Sequence, residues 1–167
     1  MKNRIVLLVV ATLVALCLMS CSREAPAIME PIVLGEVMMN EAYSRGVPDT
    51  PDWVELYNSS SVAVSLTGYK IYDPGGNAGS KPKKEFPADA SIPGKGYYVI
   101  VVDTPDESGF GLSSGGDEIW LEDNTGTVID YVTITAMSET QSYSRIPNGS
   151  ETWQLSNTIT RGAENQP

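Results

Sequence analysis

The side chains that this sequence offers for chemistry are carboxylates and amides rather than imidazoles or thiols. The 167 residues include 21 Asp and Glu, two Cys and no His. The lack of His excludes Ser-His-Asp triads, Cys-His dyads and histidine zinc sites, and it removes the commonest general base near neutral pH. A pair of carboxylates acting on a glycosidic bond is the catalytic arrangement that this composition still permits. We therefore predict that the protein is not an enzyme, with a carboxylate-dependent hydrolase as the weaker alternative.

Oxygen ligands for a hard cation are concentrated in two early segments and in the loop that joins them. Calcium binds carboxylate and amide oxygens, and it is the natural ion for such a site outside the cell. The candidate ligands are Glu36, Asn40, Glu41, Asp49, Asp52, Glu55 and Asn58. The alternative, which we favour, is that Asn40, Glu41 and Asn58 satisfy backbone groups at strand ends. Glu36 and Glu55 would then face solvent on alternating strands. We thus predict no cofactor and keep a calcium-dependent adhesion module as an alternative.

Aromatic side chains are the candidates for ligand recognition. The three Trp and eight Tyr offer flat apolar faces that stack on sugars or on protein side chains. Trp53, Trp120 and Tyr69 are the candidate binding residues. The alternative, which we favour, places Trp53 and Trp153 in the core and the tyrosines at the rims of the sheets.

The amino end is typical of an export signal. Lys2 and Arg4 precede an apolar run over residues 5–19, which is shorter than the roughly 20 residues of a membrane-spanning helix. The run ends in Leu18-Met19-Ser20-Cys21, which resembles the lipobox of bacterial lipoproteins, where the cysteine is alkylated with diacylglycerol and becomes the first residue after cleavage. We predict that residues 1–20 are a lipoprotein signal peptide and that Cys21 is the lipid attachment site.

The expected location is the cell envelope. Several acyl chains on one cysteine anchor a protein firmly, because each buried methylene contributes about 0.8 kcal/mol to membrane binding. Ser22 follows the cysteine, and a residue other than aspartate there resembles the pattern that is sorted to the outer membrane. We therefore expect an exported protein that is lipid-anchored to the cell envelope, with the outer membrane as its location.

The charge of the chain excludes some partners. The net charge is -10 and the sequence pI is about 4.3, so the surface repels phosphate backbones and anionic headgroups. Lys81, Lys83 and Lys84 form the one basic cluster beside a Gly-rich loop, and we expect them to be a solvated loop rim. We predict no nucleic-acid partner and expect a protein or carbohydrate partner instead.

The remaining chain is predicted to form a single all-β domain. Residues 21–31, with Pro26 and Pro31, are the lipidated cysteine and a linker, and residues 32–167 are one domain. Short segments of alternating or β-branched residues recur between turn signals, and no segment keeps a helical apolar period over three turns. The run from 97 to 102 is suited to a central strand. The economical architecture is a β-sandwich.

A set of short motifs follows a fixed order along the domain. The motifs are Gly35-Glu36-Val37-Met38-Met39-Asn40-Glu41, Asp52-Trp53-Val54-Glu55-Leu56-Tyr57-Asn58, Leu66-Thr67-Gly68-Tyr69, Phe86-Pro87, Ile92-Pro93-Gly94-Lys95-Gly96-Tyr97, Leu112-Ser113-Ser114-Gly115-Gly116-Asp117, Ser144-Arg145-Ile146-Pro147-Asn148-Gly149 and Gly162-Ala163-Glu164-Asn165. In this order they resemble the lamin tail domain, and the resemblance implies an immunoglobulin-like β-sandwich of a kind that also occurs in secreted bacterial proteins. The resemblance implies the architecture more firmly than the function, because a fold hosts many functions.

These observations favour a non-catalytic, membrane-tethered lipoprotein that presents a binding or assembly module at the cell envelope. The alternative from another class is a structural protein or an accessory subunit of an envelope enzyme. Stable co-purification with such an enzyme would distinguish the second hypothesis from the first.

Overall fold

The computed structural model describes residues 35–44 and 50–167. The predicted signal peptide, Cys21, the linker and Asp49 lie outside the described residues. The described chain forms strands β1 (Val37–Tyr43), β2 (Trp53–Asn58), β3 (Val64–Ser65), β4 (Lys70–Tyr72), β5 (Lys84–Glu85), β6 (Ser91–Ile92), β7 (Tyr97–Val101), β8 (Gly116–Glu122), β9 (Val128–Thr135), β10 (Ser142–Arg145) and β11 (Trp153–Ser156), and one short helix, α1 (Pro74–Asn77).

The strands form two main antiparallel sheets. The larger sheet has five strands in the order β11-β10-β1-β2-β7, and the smaller has four in the order β5-β4-β8-β9. Strands β3 and β6 pair with each other as a separate two-stranded sheet. This arrangement confirms the predicted all-β, immunoglobulin-like sandwich.

The core lies between the two main sheets and follows the period-two pattern of the sequence. Val54 and Leu56 of β2 are fully buried, as are Ile119 and Leu121 of β8 in the opposite sheet. Burying each such side chain contributes about 1.5–3 kcal/mol. The alternating apolar residues of the sequence therefore correctly predict the inner faces.

A β-bulge in β1 interrupts this alternation. The pairing register with β2 shifts between Met39 and Glu41, so that Asn40 is the extra residue. A buried ion pair satisfies the backbone beside the bulge: Asp130 Oδ2 accepts from Met39 N at 2.7 Å, and Arg145 Nε donates to Met39 O at 2.7 Å. Arg145 Nη2 also donates to Asp130 Oδ1 at 2.8 Å. The pair thereby links β10 in one sheet to β9 in the other.

The sequence Asp123-Asn124-Thr125-Gly126 predicts a hairpin turn rather than a calcium loop, and the structure has this turn between β8 and β9. Asp123 Oδ1 accepts hydrogen bonds from Thr125 N at 2.8 Å and from Thr127 N at 3.0 Å. Gly126 has a φ of 86°, which glycine adopts without the steric cost of a Cβ. The oxygen atoms of this loop therefore close a turn, as predicted.

The Gly-rich loop after β4 contains α1, which the sequence did not predict. Asp73 caps it, since its Oδ1 accepts from Gly76 N at 3.0 Å, and Pro74 occupies the start of the helix. Gly76 is required where the helix meets β4, because a Cβ there would lie 2.6 Å from Tyr72 Cβ.

Candidate functional site

Two buried glutamates lie side by side on the outer face of the five-stranded sheet. Glu41 of β1 and Glu55 of β2 are paired in register, and both are fully buried. The bulge at Asn40 shifts the register so that Glu41 and Glu55 occupy the same face. We call this pair the acidic pair. Its burial requires a cover on the outside of the sheet.

The cover is the carboxy-terminal segment, residues 157–167. Glu41 accepts from Thr160 N at 3.1 Å, from Thr160 Oγ1 at 2.8 Å and from Arg161 N at 3.0 Å. Glu55 accepts from Gly162 N and, at 3.0 Å, from Asn40 Nδ2. Consecutive backbone N–H groups thus surround the acidic pair, as they do in anion-binding backbone concavities. Here the anion is part of the protein.

Three asparagines fix the cover to the sheet. Asn148 Oδ1 accepts from Asn165 N at 2.9 Å and from Asn40 Nδ2 at 3.3 Å. Asn165 Nδ2 donates to Asn40 O and to Arg145 O, both at 2.9 Å. The two late motifs of the sequence, residues 144–149 and 162–165, therefore meet at the bulge in β1.

The titration of Glu55 is strongly perturbed by its surroundings. The pKa of Glu55 is raised from 4.5 to about 7: burial raises it most, the hydrogen bonds from Asn40 and Gly162 oppose this shift, and the charge of Glu41 adds to it. Glu55 consequently retains its proton at mildly acidic pH. Both carboxylates are occupied by donors of the protein, so the pair stabilises the fold rather than facing a substrate.

The structure separates the candidate calcium ligands. Asp52 Oδ2 accepts from Leu112 N at 2.7 Å, at the start of β2. Asn58 Nδ2 donates to Val62 O at 2.7 Å and Asn58 Oδ1 accepts from Ser60 N at 2.9 Å, at the other end of that strand. Glu36 is exposed. Within residues 35–44 and 50–167, no group of three or more His, Cys, Asp or Glu is arranged to hold a metal ion.

These positions favour the alternative in which the polar side chains satisfy the backbone. Asn40, Glu41 and Asn58 do so, as that alternative predicts. Its statement about Glu55 is wrong, because this side chain is buried beneath the carboxy-terminal segment instead of facing solvent. A calcium site therefore has no support from the geometry of Glu36, Asn40, Glu41, Asp52, Glu55 and Asn58.

The candidate binding aromatics are largely inaccessible. Trp53 is 1% exposed, stacks on Tyr43 at a centroid distance of 5.7 Å, and is covered by Arg161, whose Cζ lies 5.4 Å from the ring centroid. Trp120 is 6% exposed and lies between Tyr72 and Tyr131, at 6.0 and 5.0 Å.

Tyr69 is half-buried against the core. Trp53 and Trp120 thus lack the exposed faces that ligand stacking requires. Their positions agree with a role in packing.

The basic cluster is not a solvated rim. Lys81 Nζ lies 2.6 Å from Asp73 Oδ2, and Lys83 pairs with Glu122. Lys84 Nζ donates to Thr104 Oγ1 at 2.6 Å and lies 3.4 Å from Asp106 Oδ2. Each lysine is therefore paired within the protein, and these ion pairs hold the loop against the sandwich.

A shallow depression of about 440 Å³ lies between the ends of β8 and β9 and is lined by residues 115–118 and 133–135. Its acidic groups are engaged by neighbours. Glu118 Oε1 accepts from Tyr131 Oη at 2.7 Å, and Asp117 Oδ2 accepts from Ser113 N at 3.0 Å. These bonds maintain the hairpin and leave the depression without a free set of ligands.

Strand β7 offers a different kind of site, an open backbone edge. The sequence predicts a central strand, and this prediction is wrong, since β7 is the last strand of its sheet in the described part of the chain. Hydrogen bonds from Asn58 N to Gly96 O and from Val102 N to Asp52 O fix which residues face β2. By the antiparallel alternation, the N–H and C=O groups of Tyr97, Val99 and Val101 point away from it. No described residue is hydrogen-bonded to these groups.

The sequence reveals the composition of β7 but not its place at the edge. Tyr97, Val99 and Val101 are half-buried, and the strand Tyr97–Val101 carries neither a charge nor a proline. Such an apolar run normally predicts burial on both sides. Only the strand order shows that one side is open.

In the part of the chain that the structure describes, no helix has both the length and the apolar character needed to cross a membrane. A comparison with curated proteins gives no match. The family model of the Lamin Tail Domain matches residues 30–136, which include β1 to β9 and the whole acidic pair. Since this match covers more than half of the sequence and agrees with the sandwich, the chain belongs to the lamin tail domain family.

Proposed function

We propose that this protein is a lipid-anchored, non-catalytic binding or assembly module of the bacterial cell envelope. The observation that carries the proposal is the edge of β7, where the backbone groups of Tyr97, Val99 and Val101 have no hydrogen-bond partner among the described residues and the side chains are half-buried. Exposed strand edges are recognition surfaces for extended protein segments.

The use of the polar side chains supports a non-catalytic role. Glu41 and Glu55 hold the carboxy-terminal segment, and Asp130 pairs with Arg145. Asp52 caps a backbone N–H group. These carboxylates maintain the fold, and a sequence without His supplies no imidazole to work beside them. A scaffold of this kind suits a domain that acts through its surface.

The amino end supports the anchor. The apolar run over residues 5–19 leads directly to Leu18-Met19-Ser20-Cys21, and residues 22–34 separate Cys21 from the described domain. A diacylglycerol on Cys21, with a further acyl chain such as palmitate, would hold the domain at the membrane surface. Ser22 favours the outer membrane as its location.

The anchor is tested with the full chain expressed in a bacterium that processes lipoproteins and fed a labelled fatty acid. We expect wild type and the matched control Cys17→Ser to carry label and to sediment with membranes. We expect Cys21→Ser to lose both properties. Label that persists in Cys21→Ser, or that is lacking from wild type, would refute the lipid anchor.

The binding role is tested with a photoreactive amino acid at position 99 of the full chain in its envelope. We expect light-dependent adducts from this position and none from position 133, an exposed site on the opposite sheet. A lack of adducts from position 99 would refute β7 as the binding surface.

A further inference from the structure

The carboxy-terminal segment, residues 157–167, is held on the sandwich by polar contacts rather than by apolar burial. Asn165 is its one buried residue, Thr160 is half-buried, and the other residues of the segment are exposed. Ile159, its largest apolar side chain, is 38% exposed, and the segment contributes no side chain to the core. Burial of apolar area is the main favourable term in folding. The segment can therefore detach without opening the core between the two sheets.

The acidic pair beneath the segment is costly to bury. Glu41 and Glu55 are fully buried side by side, and no Lys or Arg among the described residues forms an ion pair with either of them. Two neighbouring carboxylates repel each other when both are charged. The covering backbone is also strained, because Arg161 has a φ of 26°, in the left-handed region that favours glycine. The hydrogen bonds of the segment must offset desolvation, repulsion and strain together.

We propose that the carboxy-terminal segment is a pH-dependent strap, which covers the acidic pair in acid and detaches from it as the pH rises through neutrality while the sandwich stays folded. Detachment gives both carboxylates access to water, which favours their ionised form. It also uncovers Trp53, whose ring lies beneath Arg161. The strap is separate from the edge of β7 and from the anchor at Cys21, and it adds a conformational change to the domain.

The groups around Glu55 determine the direction of this change. The titratable and charged groups on the elements packed against it are Glu41 and Tyr43 of β1, Tyr57 of β2, Tyr97 of β7, and Arg161 and Glu164 of the strap. Burial is the main cause of the raised pKa of Glu55, and the charge of Glu41 adds to it. Tyr97 stays neutral near pH 7, because burial raises the pKa of its hydroxyl group. Loss of the proton of Glu55 therefore places a second negative charge beside Glu41 and disfavours the closed strap.

The size of the effect follows from the two states of Glu55. Its pKa is about 7 under the strap and returns towards 4.5 in water, so the detached state binds fewer protons between these values. Rising pH must then favour detachment. The equilibrium constant for opening should increase about fiftyfold from pH 5 to pH 7.5, since each pKa unit corresponds to a factor of ten.

Hydrogen exchange of the full chain in detergent, followed by mass spectrometry, measures this opening. A synthetic peptide of residues 157–167 gives the exchange rate of the unprotected amides at each pH, and division by this rate removes the chemical pH dependence of exchange. We expect the corrected exchange of the strap to rise about fiftyfold from pH 5 to pH 7.5. A peptide from β8 should stay protected for much longer than the strap at every pH.

Two variants assign the effect to Glu55. In Glu55→Gln the titrating group is removed, and the corrected exchange of the strap should not depend on pH. The matched control, Glu164→Gln, removes the same charge from an exposed position of the strap and should keep the rise of wild type. Protection of the β8 peptide shows that each variant is folded.

Corrected exchange of the strap that stays constant from pH 5 to pH 7.5 would overturn the proposal. Equal exchange of the strap and β8 peptides would overturn it too, because the strap would then open only when the whole domain unfolds. A rise in Glu55→Gln equal to that of wild type would have the same consequence. These results are independent of the adducts from position 99 and of the labelling of Cys21, which test the proposed function.

Discussion

Replacing Glu55 by Gln should remove a pH dependence of folding that comes from one buried carboxyl group. Burial raises the pKa of Glu55 from 4.5 to about 7. Between these values the folded protein keeps a proton that the unfolded chain has released. Stability that is fully present below pH 4.5 is therefore lost as the pH rises towards 7.

The magnitude follows from the size of the shift. Each pKa unit corresponds to 1.36 kcal/mol, so the free energy of unfolding should fall by about 3 kcal/mol across this window. Glu55→Gln cannot titrate, and its stability curve should be flat where that of wild type falls. The amide places an N–H group against one of the donors Asn40 and Gly162, which should cost about 1–3 kcal/mol at every pH.

The assay is urea unfolding of the chain from Ser22 onward, at intervals between pH 4 and pH 8.5. The matched control is Glu164→Gln, which removes the same charge from an exposed position and should keep the pH dependence of wild type. The reasoning is refuted by a wild-type curve that is flat from pH 4.5 to 7. It is also refuted by a slope in Glu55→Gln equal to that of wild type.

Three further outcomes follow from the same network. Arg145→Met leaves Asp130 buried without its cation and should lower the free energy of unfolding by about 3–5 kcal/mol in a urea titration. As a control, replacing the exposed Arg161 by Met should lower it by about 1 kcal/mol or less. Removal of residues 157–167 exposes the acidic pair, so the remaining protein should unfold at a lower urea concentration. Its free energy of unfolding should also no longer fall between pH 4.5 and pH 7, and an unchanged pH dependence would contradict the role of the cover. Calcium should leave the thermal midpoint unchanged, because the oxygens of Glu41, Glu55 and Asn58 are held by protein donors; a rise that a chelator reverses would contradict this assignment.

Local patterns of the sequence were sufficient for the inner faces and for the hairpin turn. Val54 and Leu56 alternate with Glu55, and the first two lie in the core. Gly126 stands where the turn requires a positive φ. Both inferences depend on residues that are close together in the chain, where backbone geometry alone decides the outcome.

The burial of Glu55 and the exposure of β7 depend on contacts that are distant in the chain. Glu55 is covered by Gly162, 107 residues later, so its charge and alternation alone predict a solvent-facing residue. The apolar composition of β7 predicts a central strand, because a strand with a neighbour along one edge and a strand with neighbours along both edges can consist of the same residue types. Trp53 was named as a binding candidate, but the favoured prediction of a core position is correct, since it is 1% exposed and covered by Arg161.

The network also shows why the folding unit extends beyond the family match. Residues 30–136 include Asp130, Glu41 and Glu55, but their partners Arg145, Thr160 and Gly162 come later. Without those partners, Asp130 would be buried without its cation, and Glu41 and Glu55 would lose their cover together with the donors of Thr160, Arg161 and Gly162. A buried charge without its counterion costs several kcal/mol. A domain is stable by only about 5–15 kcal/mol, so the loss would consume most of that margin. The carboxy-terminal segment is therefore part of the folding unit, because the acidic residues of β1 and β2 need it as their cover.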